Sequence, residues 1–192
     1  MKRKVKKYFE ELVKNLSCIV VTYSGNKKSD FNQAIADAID MINNASDSSK
    51  KIMFIGNGAS AAISSHMATD FWKNGAVKAI AFNDSSLLTC VSNDYGYQYV
   101  FEKPIEMFAE KEDILIAISS SGRSENIIKG ANMALYKGCK LITLSGFEEN
   151  NALCLLGHIN FYVPSFSYGL VEIIHQAICH SIIDILIECK NG

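Results

Sequence analysis

Five short apolar runs constrain this chain most strongly: Ile52–Ile55, Val77–Phe82, Ile114–Ile118, Leu141–Leu144 and Ile159–Val163. They run without regular polar alternation, the pattern of strands covered on both faces of a parallel sheet. Helical stretches separate them, as crossover connections require. The expectation is an α/β fold, a doubly wound, mainly parallel five-stranded sheet flanked by helices. Only two Pro in 192 residues leave those elements unbroken. In sheets of this kind, ligands bind beyond the carboxyl ends of the strands.

Ahead of the first run, Val5, Phe9, Leu12, Val13, Leu16, Ile19 and Val20 recur at helical spacing. After a turn over Ser24–Asp30, so do Phe31, Ile35, Ala38, Ile39 and Ile42. This predicts a helical hairpin over residues 1–48. An α/β core over 49–192 follows, closed by a long helix from about Tyr168 to Cys189. The whole chain, 1–192, reads as a single domain.

Composition narrows the function classes. The 192 residues are 48% hydrophobic and 20% charged, which excludes a disordered chain. Nineteen basic and twenty acidic residues leave a net charge of -1, so no global field recruits nucleic acid. The basic head, Lys2 to Lys7, reads as a solvated helix start. Neither nucleic acid nor a membrane is expected as a partner: no apolar run reaches bilayer length, and no signal-peptide pattern opens the chain. Cysteines 18, 90, 139, 154, 179 and 189 form no CxxC pair, which suits reduced, buried thiols in a cytoplasmic protein.

Two loops carry chemistry. The first strand runs into Gly56-Asn57-Gly58-Ala59-Ser60-Ala61 and then a helix. This matches GxGxxA, with Asp84 ending the next strand as a dinucleotide fingerprint asks. It is equally a tight strand-to-helix turn. The third strand ends in Ser119-Ser120-Ser121-Gly122-Arg123-Ser124 before another helix. Hydroxyls, backbone N–H groups and a helix dipole converge there into a phosphate cradle. A serine N-cap explains one of those serines well and four poorly.

His66 and Asp70 stand four residues apart on the helix after the glycine loop, so they share a face. A histidine and a carboxylate at that spacing suit zinc, or an unrelated surface pair.

Gly56–Ser60, His66, Asn93-Asp94-Tyr95-Gly96-Tyr97 and Ala117–Ser124 together resemble the sugar isomerase (SIS) domain family, most closely its phosphoheptose isomerases. The resemblance spans nearly the whole chain and implies a SIS-type, flavodoxin-like fold. It also implies a homotetramer with sites at subunit contacts. The implied reaction is a zinc-dependent aldose–ketose isomerisation through an ene-diol. Sedoheptulose 7-phosphate would become D-glycero-D-manno-heptose 7-phosphate, supplying heptose for lipopolysaccharide or capsule. By the family pattern, His66, Asp70, Glu172 and His180 bind the metal, and Asp70 and His180 do the acid–base work. Substrate contacts fall to Asn57, Gly58, Ala59, Ser60, Asp70, Asn93, Asp94, Ser119, Ser120, Ser121, Ser124 and Glu172.

Several positions depart from the familiar members. Asp70 stands where they carry Glu, Glu172 where they carry Gln, and Ala59 replaces a glycine. The stretch Ser165–Gly169 lacks an acid found in many relatives. Eight helical residues rise about 12 Å, which separates Glu172 from His180 by two turns. Either Glu172 sits at a non-helical start, or the ligands come from different subunits, or Gln176 takes its place. Competing readings are a non-catalytic SIS tetramer that binds a protein such as the replication initiator, and a sugar-phosphate sensor. A dinucleotide-binding dehydrogenase leaves the serine loop unexplained.

Overall fold

The computed structural model describes residues 1–191, so Gly192, the end of the expected domain, lies outside it. The elements are α1 (Lys2–Leu16), β1 (Val20–Tyr23), β2 (Lys27–Ser29), α2 (Phe31–Asp47), β3 (Ile52–Gly56), α3 (Ala59–Lys73), β4 (Ala79–Ala81), α4 (Ser85–Tyr95), α5 (Glu102–Phe108), β5 (Ile114–Ser119), α6 (Glu125–Tyr136), β6 (Lys140–Gly146), β7 (Ile159–Val163) and α7 (Tyr168–Asn191). A short 3₁₀ turn, Tyr97–Tyr99, lies between α4 and α5.

All five expected strands form, as β3, β4, β5, β6 and β7, and they pair in parallel. The sheet nevertheless has seven strands, in the order β2-β1-β7-β6-β5-β3-β4. The extra two correct the helical-hairpin expectation. Helix α1 stops at Leu16, and Val20–Tyr23 pairs antiparallel with β7, Val21 opposite Phe161. Strand β2 folds back onto β1 within the stretch read as a turn. The β-branched residues Val20, Val21 and Thr22 fit a pleated surface as readily as a helix face, and an open edge of β7 decided between them. Helix α2 forms as expected, capped by Asp30, whose Oδ1 accepts from the N–H groups of Asn32 and Gln33 at 2.9 and 3.1 Å.

Period-two alternation then builds two cores. Ile52, Phe54, Ile114, Ile116 and Ile118 face a layer of α2, α3 and α7. Met53, Ile55, Leu115 and Ala117 face α5 and α6. Asp113, fully buried, accepts from Lys51 Nζ at 2.6 Å, Lys51 N at 3.0 Å and Glu110 N at 2.8 Å. It thereby ties the starts of β3 and β5 together.

Helix α7 is long and apolar enough to cross a membrane by length and composition, contrary to the sequence reading, but half of that window is buried in the fold. His175 lies on its buried face, 0% exposed, with Nε2 3.1 Å from the Ser145 carbonyl. Burial holds this imidazole down from about 6.5 to about 4. Helix α1, by contrast, buries no residue.

Candidate active site at the sheet switch point

Counting only the parallel strands, the order is 2-1-3-4-5, the flavodoxin-like arrangement. Its switch point falls between β3 and β5, where Gly56 pairs opposite Ile118. Connections leave these two neighbours toward opposite faces, so a crevice opens at their carboxyl ends. Both loops singled out in the sequence end there. A cavity of about 240 Å³ is bounded by Asn57, Gly58, Ala59 and Ser60 on one side and by Ser119, Ser120, Ser121 and Ser124 on the other. Tyr168 and Glu172 of α7 close it.

The serines are not helix caps. Ser124 occupies the N-cap of α6 yet makes no side-chain cap bond. Its Oγ lies instead 3.3 Å from Ser119 Oγ. Ser121 Oγ accepts from Arg123 N at 3.3 Å. Ser120 is 5% exposed and its buried Oγ has no partner at all. A buried hydroxyl without a partner is costly, and one lining a cavity points to a ligand that satisfies it. Asn126 Oδ1 takes the Ile127 N–H, and the N–H groups of Glu125 and Asn126 at the start of α6 add donors beside the positive end of its dipole. Gly122 shapes the loop: its φ is +61°, and a Cβ there would stand 1.9 Å from Asn151 Oδ1. Only glycine lets the loop pack against that buried amide.

Gly58, the N-cap of α3, has φ 55° and ψ −122°, a conformation that favours glycine. Helix α3 starts there without a side-chain cap. Ala59 is the first residue of α3, a position that does not require glycine.

A second cavity, about 640 Å³, adjoins the first and shares Ala59 and Glu172 with it. His66 and His180 lie on its wall. Along α3, His66 Nε2 is 3.3 Å from Asp70 Oδ2. Helix α7 packs beside α3 and brings the His180 ring to 5.4 Å, edge-on, from that of His66. One ligand atom from each of His66, Asp70 and His180 lies within 4.8 Å of the others. Two imidazole nitrogens and a carboxylate oxygen, with one side open to a cavity, are a donor set that fits a divalent metal ion.

Other expected residues fall elsewhere. Glu172 lies inside helical α7, which removes the non-helical start, and it is not part of the His66–Asp70–His180 group. Gln176 lines the same cavity, with Nε2 donating to Met67 Sδ at 3.4 Å. Asn93 and Asp94 are exposed near the end of α4 and line neither cavity of the protomer. Asp84 caps α4, accepting from Leu87 N at 3.0 Å, so its carboxylate is committed to the helix rather than to a ribose. Half of the cysteines, Cys18, Cys90 and Cys189, are exposed, not buried as expected. Burial pushes the Cys139 thiol up to about 11 and the Cys179 thiol to about 12, which makes both poor nucleophiles.

Two contributors escaped sequence reasoning. Tyr97 donates its hydroxyl to Asn57 Oδ1 at 3.0 Å. Asn126, not singled out, exchanges hydrogen bonds with Asn57. The only available signal for Asn126 was an amide at the second position of a helix that follows a serine loop.

Comparison with known proteins agrees with this geometry. The SIS domain family matches residues 22–146. The phosphoheptose isomerase of Helicobacter hepaticus is 35% identical over 167 residues, covering 83% of this chain and 85% of that protein. That of Haemophilus ducreyi is 36% identical over 162 residues, covering 81% and 82%.

This chain belongs to the phosphoheptose isomerase family.

Membership makes it an enzyme of the isomerase class. The solved phosphoheptose isomerase of Francisella tularensis superposes with a TM-score of 0.85 at 27% identity, covering 98% of both chains. That of Neisseria gonorrhoeae shares the fold, with a TM-score of 0.84 at 24% identity and coverage of 96% and 98%. Helix α7, which supplies His180, lies beyond the SIS match but within the full-length likeness to these isomerases.

Proposed function

We propose that the protein interconverts sedoheptulose 7-phosphate and D-glycero-D-manno-heptose 7-phosphate with the help of zinc. One observation carries the reading: the serine-lined anion cavity and the His66–Asp70–His180 group sit side by side, sharing Ala59 and Glu172. A phosphate seated on Ser119, Ser120, Ser121 and Ser124 leaves the other end of the sugar for the second cavity. Asn57, Gly58, Ala59 and Ser60 then border the path between the two.

His66, Asp70 and His180 would hold the metal, and Glu172 and Gln176 are the side chains on the same cavity available for a fourth bond. When bound, zinc supplies Lewis acidity to the oxygens on C1 and C2. Asp70 accepts a proton from C1 of the ketose. The released electron pair becomes the second C1–C2 bond, and O2 takes a proton from the ring N–H of His180, giving the ene-diol. Return of the carboxyl proton to C2, with loss of the O1 proton to His180, leaves the aldehyde. No atom is gained or lost.

A homo-oligomer, a tetramer by family resemblance, fits this reading. Helix α1 leaves Val5, Phe9 and Val13 exposed, and Trp72 and Tyr95 are exposed elsewhere. Asn93 and Asp94 would reach substrate from a neighbouring subunit. Six free thiols support action in a reducing cytoplasm, supplying heptose for lipopolysaccharide or capsule.

The test is incubation of zinc-loaded protein with sedoheptulose 7-phosphate, followed by NMR beside a chelated control. Metal-dependent appearance of the aldose is the expected result. Binding without turnover would favour the sensor reading. Neither binding nor turnover would favour a protein-binding role.

A further inference from the structure

Asn57 and Asn126 form a reciprocal amide pair across the switch point. Asn57 Nδ2 donates to Asn126 Oδ1, and Asn126 Nδ2 donates to Asn57 Oδ1, each at 2.9 Å. Asn126 is 3% exposed and lies in the first turn of α6, just after the serine loop. Its Oδ1 also accepts from the backbone N–H of Ile127 at 3.0 Å. A backbone N–H only donates, so the Asn126 atom facing it is the oxygen. Its nitrogen must then face the Asn57 oxygen, and the Tyr97 hydroxyl donates to that same oxygen at 3.0 Å.

This fixes what Asn57 has left to offer. Both lone pairs of Oδ1 are engaged, and one of the two Nδ2 hydrogens is engaged. A single N–H remains, on a residue that lines the anion cavity. We propose that Asn126 and Tyr97 are positioning residues that hold the Asn57 carboxamide as a donor toward a lone pair of the sugar. The inference rests on the isomerase reading above. Asn126 also links the helix that receives the phosphate to the loop that meets the sugar, which sequence order alone keeps far apart.

The experiment compares wild type, Asn126→Ala and Tyr97→Phe, each zinc-loaded, by steady-state kinetics on sedoheptulose 7-phosphate and by affinity for inorganic phosphate. Phosphate is the control, because a merely loosened loop would lose it too. Asn126→Ala lowers kcat/KM by about 10- to 100-fold, with phosphate affinity held within about twofold. Tyr97→Phe, at a half-exposed position that folds without its hydroxyl, lowers kcat/KM by about threefold to tenfold. The double variant loses less than the product of the single losses, since both act through one amide. Wild-type kinetics in both variants would overturn the inference, and so would a phosphate affinity that falls in step with kcat/KM.

If wild type binds the sugar phosphate without turning it over, the isomerase reading fails and the inference is read from binding. The same variants must then weaken the sugar phosphate more than inorganic phosphate, and equal weakening overturns it. Failure of wild type to bind the sugar phosphate overturns both.

Discussion

Ser124 Oγ lies 3.3 Å from Ser119 Oγ, so the residue at the N-cap of α6 turns its hydroxyl toward its neighbour and not toward the helix. Ser124 therefore does not cap the helix it precedes, and beside it the buried Ser120 hydroxyl has no partner. A loop built for stability alone would have used Ser124 as a cap.

Ser124→Ala therefore changes stability by less than about 0.5 kcal/mol, where losing a true cap costs about 1 kcal/mol. Affinity for inorganic phosphate falls by about tenfold. Thermal melts beside isothermal titration check both. A cap-sized loss of stability with unchanged phosphate affinity would reverse the assignment.

Gly122→Ala forces a side chain into the left-handed region at φ +61° and puts its Cβ 1.9 Å from Asn151 Oδ1. The expected cost is about 2 kcal/mol or more, with phosphate binding lost. Adding Asn151→Gly removes the steric part, so phosphate binding returns in part. No recovery in the double variant would show that Asn151 does not shape the loop.

Zinc titrated into metal-free protein raises the unfolding midpoint. His66→Ala and His180→Ala each weaken zinc by roughly two orders of magnitude or more, while His158→Gln leaves it unchanged. Differential scanning fluorimetry over a zinc series reads this directly. An unchanged wild-type midpoint would remove the metal centre.

Two histidines make the fold acid-sensitive. His175 takes up its proton at about 4 when folded, held down by burial, against about 6.5 when unfolded. Between those values the unfolded chain binds more protons, so stability falls as pH falls below about 6.5 and is level above it. His175 alone accounts for roughly 3 kcal/mol across that window. His158 acts in the same direction: burial and then the Lys140 charge lower its pKa, and its Nδ1 accepts from Leu141 N at 3.0 Å, which a proton would prevent. Urea midpoints measured from about pH 7.5 down to about pH 4.5 test this. A flat profile would refute it.

Apolar run length alone determined the five parallel strands, because a sheet covered on both faces has no polar side to advertise. The two loops were equally legible: glycines and clustered hydroxyls at strand ends have few structural uses. His66 and Asp70 came from helical spacing, and His180 was reached through family resemblance. Tertiary structure decided the rest. Val20–Tyr23 carries a pattern that serves helix or strand, and only the free edge of β7 made it a strand. Unbroken α7 leaves Glu172 outside the close His66–Asp70–His180 group while keeping it on the same cavity. The Asn57–Asn126–Tyr97 contacts join residues 40 and 69 positions apart. Hydrogen bonds of that kind leave no periodic trace, because they depend on which chain ends the sheet brings together and not on the order in which the residues are written.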